Sequence, residues 1–86
     1  MSQTRTTSTA RLVANRQPIA MYPMSRETKL EIFGYVTENG DQKAIYRMTD
    51  TKRVGKALIH RNGYDEPYIR VRDERVFLSD CRKIAH

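Results

Sequence analysis

Glu38-Asn39-Gly40 stands between two runs in which apolar residues alternate with polar ones, and it constrains this chain more than any other stretch. A glycine free to take the left-handed conformation, flanked by alternating residues, marks a β-hairpin. Over residues 30–48 a three-residue loop pairs Thr37 with Asp41, Ile32 with Tyr46 and Leu30 with Met48. The alternative is a two-residue Asn39-Gly40 loop, which sets Ile32 opposite Arg47. Since a one-residue slip turns a whole strand over, the longer loop is the expectation. One face then carries Leu30, Ile32, Val36, Ala44, Tyr46 and Met48, and the other carries Glu31, Phe33, Tyr35, Thr37, Lys43, Ile45 and Arg47.

The second face mixes aromatic and basic side chains. Either another layer covers the rings while the basic stems reach outward, or the rings form a platform on which bases stack. A second hairpin repeats the pattern at residues 67–79. An Asp73-Glu74 turn sets Val71 opposite Val76 and Ile69 opposite Leu78, leaving Tyr68, Arg70, Arg72, Arg75 and Phe77 on the reverse face. Arg72 then opposes Arg75, a repulsive pair unless Asp73, Glu74 or an external anion relieves it.

Residues 49–63 are ambiguous. As a helix, Thr49 or Asp50 caps the start, Asn62-Gly63 ends it, and Lys52, Lys56 and His60 form a stripe flanked by Arg53 and Arg61. As a strand, Val54, Lys56, Leu58 and His60 share a face. Gly55 disfavours the helix by up to ~1 kcal/mol, yet the helix is the expectation. Residues 80–86 read as a short turn or tail anchored by Ile84.

Residues 1–26 are rich in Ser, Thr and Arg without core periodicity, and Pro18 and Pro23 interrupt any helix. They read as a flexible basic arm before a compact domain at 27–86. The arm fits an idle tail, a segment that orders on a partner, or an organelle-targeting sequence. The expected fold is therefore α+β, a single small ββ-α-ββ domain with about four antiparallel strands and one helix. The alternative is an all-β SH3- or OB-like small barrel.

Charge points to the class of partner. The chain carries a net +6, distributed unevenly: residues 1–26 hold four Arg and no acid, and residues 43–61 hold six basic residues against Asp50 alone. Such asymmetry suits an anionic partner. One cysteine, Cys81, excludes an internal disulfide framework and fits a reducing, cytoplasmic setting. The chain has no long apolar run for a membrane span, no cofactor or metal-ligand pattern, and no paired catalytic carboxylates. Val54-Gly55-Lys56-Ala57 lacks the upstream glycine and the hydroxyl residue of a phosphate loop. Phe33-Gly34-Tyr35-Val36 matches only the middle of an RNA-recognition-motif signature.

The expectation is a non-enzymatic nucleic-acid-binding protein for DNA or RNA. Lys43, Arg47, Lys52, Arg53, Lys56, Arg61, Arg70, Arg72 and Arg75 would contact phosphates, and Phe33, Tyr35 and Tyr68 would stack on bases. The alternative is a protein–protein interaction module, an accessory subunit or inhibitor docking on a larger acidic partner, with the arm ordering on contact.

Overall fold

A computed structural model of the chain describes residues 13–84. Its strands are β1 (Ala20–Pro23), β2 (Lys29–Glu38), β3 (Asp41–Met48), β4 (Val54–Leu58), β5 (His60–Arg61), β6 (Pro67–Val71), β7 (Glu74–Phe77) and β8 (Arg82–Lys83), with a 3-10 turn at Leu78–Asp80. They form a five-stranded antiparallel sheet in the order β4-β3-β2-β1-β8 and a three-stranded sheet in the order β5-β6-β7. The two do not close into a barrel, and no α-helix stands among the described elements.

The ββ-α-ββ expectation is corrected at residues 54–61. Val54–Leu58 is a strand paired with β3, and after Ile59 the chain passes into the second sheet as His60–Arg61. Gly55 explains the choice. It lies opposite Tyr46, where an added Cβ would come within 2.9 Å of the Tyr46 hydroxyl. A residue that is unfavourable in a helix thus lets an aromatic ring cross the neighbouring strand.

The first hairpin combines both sequence alternatives. Asn39 and Gly40 form a two-residue turn with φ of 53° and 84°, as a primed hairpin turn requires. A bulge at Phe33 then restores the register below it, so Ile32 opposes Tyr46, Glu31 opposes Arg47 and Leu30 opposes Met48. Between bulge and turn the faces are exchanged relative to the sequence reading. Tyr35 opposes Ala44, while Val36 packs with Phe33 and Ile45.

The second hairpin turns at Arg72-Asp73, one residue earlier than expected, with Ile69 opposite Val76 and Arg70 opposite Arg75. The register moves by two residues, which preserves every face. Leu78 leaves the ladder for the 3-10 turn.

Residues 20–23, assigned to the arm from sequence, belong to the sheet. β1 lies between β2 and β8, with Ala20 opposite both Ile32 and Lys83. Val13 is buried against Phe33 and Ile45. Residues 1–12 of the arm lie outside the described residues. At the other terminus Ile84 N–H donates to the Ile19 carbonyl at 3.0 Å, fastening the end of the chain to the start of β1.

The main core lies between the sheets. Leu30, Ile32, Ala44, Met48 and Ala57 from the larger sheet meet Ile69, Val71 and Val76 from the smaller, with Cys81 at the margin. Leu30, Ile32, Ile69 and Val76 are fully buried, so truncating any of them to Ala should cost about 2–4 kcal/mol. A second, smaller cluster of Val13, Phe33 and Ile45, with Val36 and Val54, covers part of the outer face of the larger sheet.

Candidate nucleic-acid interface

The basic residues singled out from sequence divide by the partners that they meet. Lys43 and Lys56 both donate to the Glu38 carboxylate, from β3 and β4 respectively. Their ammonium groups, Lys56 foremost, hold that carboxyl below its ordinary range. Arg47 Nε donates to Glu31 Oε1 at 2.9 Å, and its guanidinium lies 5.0 Å from the Phe33 ring centroid. Arg72 makes two bonds to Asp50, at 2.8 and 2.9 Å. Arg61 donates to the Asp65 carbonyl at 2.9 Å and pairs with its carboxylate at 3.5 Å. These five cations serve the chain's own carboxylates. Lys52, Arg53, Arg70 and Arg75 have no ion pair among the described residues.

The three candidate rings part company too. Phe33 is buried beneath Arg47 and beside Val13, out of reach of a base. Tyr35 is 53% exposed, but the bulge carries it to the opposite face of the larger sheet. There it lines an open groove of ≈ 250 Å³ with Ile59, Pro67 and Leu78, and desolvation raises its phenol above the ordinary value. A combined platform of Phe33, Tyr35, Lys43 and Arg47 therefore does not form.

Tyr68 lies elsewhere and in different company. It occupies the middle strand of the smaller sheet, opposite His60 on one side and Phe77 on the other. The His60 and Tyr68 rings stack with centroids 5.4 Å apart, and Tyr68 and Phe77 are tilted at 5.3 Å. Ile69, Val71 and Val76 point into the core from these strands. Alternation therefore turns Tyr68, Phe77, Arg70 and Arg75 to the outer face. The Arg75 guanidinium lies 5.3 Å from the Tyr68 centroid, and Arg70 is its cross-strand neighbour. Among the described residues this is where half-buried rings and cations without carboxylate partners come together. The Asp50–Arg72 pair also brings the β3–β4 turn, with Lys52 and Arg53, to the tip of the β6–β7 hairpin.

Sequence reasoning missed His60 and Phe77 as site residues. The helical reading of 49–63 placed His60 in a stripe with Lys52 and Lys56, and nothing local tied it to Tyr68. It also missed Lys29 and Arg82, which line a cavity of ≈ 330 Å³ with Met21, Tyr22, Pro23 and Asp80. Neither cation has an ion pair among the described residues. Tyr22 hydroxyl donates to Glu74 Oε2 at 3.0 Å, and that bond raises its phenol above the usual value.

No group of three or more His, Cys, Asp or Glu among the described residues could hold a metal ion. No helix among them is long and apolar enough to cross a membrane. Cys81 is buried, and burial raises its thiol above the ordinary value. No protein-family model, no curated protein and no solved structure matches the chain.

Proposed function

We propose that this protein is a non-enzymatic nucleic-acid-binding protein that holds a single strand across its smaller sheet. The observation that carries the reading is the His60–Tyr68–Phe77 row with Arg75 against Tyr68 and Arg70 beside it. Aromatic rings on a sheet accept the flat faces of unstacked bases, and arginines at their edges meet the phosphates. Arg53, in the β3–β4 turn that the Asp50–Arg72 pair joins to the β6–β7 hairpin, extends the positive surface, while Lys52 lies with Glu31 and Arg47 on the larger sheet. Tyr68 is the central stacking residue, and Arg70 and Arg75 are the nearest phosphate contacts. Lys43, Arg47, Lys56, Arg61 and Arg72 have a structural share in the fold through their carboxylates.

The test is fluorescence anisotropy of labelled oligonucleotides, single-stranded and duplex, over a range of salt concentrations. Two to four phosphate contacts on a single strand give a log-log salt slope of about −1.4 to −2.8. The reading requires single strands to bind more tightly than duplex, with a slope in that range. Equal binding to both, or binding indifferent to salt, would contradict it.

The groove at Tyr35 supports a second reading, a protein-interaction module. An exposed tyrosine beside Ile59, Pro67 and Leu78 is an anchor of the kind that protein partners use. Here Tyr35→Ala would abolish a specific protein complex while leaving oligonucleotide affinity unchanged, and Tyr68→Ala would do the reverse.

A further inference from the structure

A cavity of ≈ 330 Å³ lies at β1, between β2 and β8 of the larger sheet. Its wall includes Tyr22, whose hydroxyl bonds Glu74 at the start of β7, and Asp80, in the turn that follows β7. Its volume falls in the range of small-molecule sites, about 300–1,000 Å³. Met21 and Pro23 supply apolar wall. Arg82 opposes Met21 and Lys29 opposes Pro23 across β1, which sets the two cations on the same face from opposite sides of that strand.

We propose that this cavity takes a phosphomonoester, either the terminal phosphate of an oligonucleotide or the phosphate of a free nucleotide. The first source rests on the function proposed above; the second does not. The charges argue for a monoester over an internal phosphodiester. A monoester carries about −1.5 to −2 at neutral pH, whereas a backbone phosphate carries one negative charge. Lys29 and Arg82 outweigh Asp80 in the lining, and two cations favour the doubly charged group. Arg82 offers a planar fork to two phosphate oxygens, and Lys29 a point charge to the third. The Asp80 carboxylate can accept a hydrogen bond from a sugar hydroxyl, while Met21, on the same face of β1 as the two cations, lies against the base or ribose.

The experiment uses the full chain and a Lys29→Gln/Arg82→Gln double variant, both positions being exposed. Thymidine monophosphate and inorganic phosphate are titrated against backbone amide shifts. Labelled thymidine oligonucleotides with a 5′ phosphate, a 3′ phosphate or neither are compared by anisotropy. The expected result is amide shifts at Met21, Lys29 and Arg82 with the monophosphate. One phosphorylated end should also bind about fivefold more tightly than the bare oligonucleotide, with both effects lost in the double variant. If the oligonucleotides bind without regard to their ends and the monophosphate shifts nothing, the phosphate site falls and the strand-binding reading stands. If no oligonucleotide binds but the monophosphate shifts these amides in the native chain alone, the site stands and strand binding falls. Silence from every ligand overturns both.

Discussion

Arg72 reaches across from the tip of the β6–β7 hairpin and grips both carboxylate oxygens of Asp50 in the β3–β4 turn, at 2.8 and 2.9 Å. The pair joins the two sheets at one end of the core. The guanidinium holds the Asp50 carboxyl below its ordinary range, and the carboxylate in turn raises Arg72. A depressed carboxyl contributes stability that is present above its unfolded value, near 3.9, and disappears as pH falls through the folded value. Glu38, lowered chiefly by Lys56, adds to the same acid limb. Asp50→Asn should therefore lower the melting temperature at pH 7 and leave it little changed at pH 2–3, as thermal melts across that range would record. An equal loss at both pH values would mean that the ionic part of the contact contributes nothing.

The turn that presents Arg72 is strained. Arg72 and Asp73 have φ of 53° and 63°, in the left-handed region, and neither is glycine. Asn39-Gly40 solves the same geometry with residues suited to it. Asp73→Gly should accordingly stabilise the protein by about 0.5–1 kcal/mol, read from urea midpoints, without touching the Arg72–Asp50 pair. Destabilisation would show that the Asp73 side chain contributes more than its backbone costs.

Gly55→Ala separates strand from helix at the segment where the sequence misleads. In a helix the change would stabilise by up to ~1 kcal/mol. In β4 the new Cβ meets Tyr46 at 2.9–3.1 Å, and displacing that ring should cost about 1–3 kcal/mol. Chemical denaturation gives the sign directly.

Arg47 and Arg70 look alike in the sequence and should behave oppositely. Arg47 compensates Glu31, which is 8% exposed, and covers Phe33. Arg47→Ala strands a largely buried carboxylate and should cost about 1–3 kcal/mol. Arg70→Ala should alter stability by less than about 0.5 kcal/mol while weakening oligonucleotide binding. Paired denaturation and anisotropy on the two variants test the division between structural and ligand-facing cations.

These residues also show how far the sequence was legible. The hairpin about Asn39-Gly40 and the apolar set Leu30, Ile32, Ala44 and Met48 follow from turn chemistry and alternation, and so do the inward Ile69, Val71 and Val76. The bulge at Phe33 was not legible, because it satisfies a pairing between strands rather than a local preference, and it separated Tyr35 from Phe33. β4 was hidden by residues that mimic helix caps at both ends, Asp50 and Asn62-Gly63. β1 was hidden by its shortness and by Pro23. Its pairing with β8 joins the two ends of the chain, which no window of local sequence can reveal. Of the candidate site, Tyr68, Arg70 and Arg75 lie together on one face as alternation indicated. The ion pairs of Lys43, Lys56 and Arg72 were not legible, because their carboxylate partners lie on neighbouring strands or turns.

The most direct test of the central claim is the affinity of Tyr68→Ala for a fluorescent thymidine oligonucleotide at physiological salt, with circular dichroism to show that the sheets persist. Loss of a ring that stacks on a base removes about 1–3 kcal/mol, so the account predicts a drop of about five- to a hundredfold. An affinity equal to that of the native chain would contradict it, since the ring row would then have no part in holding the strand.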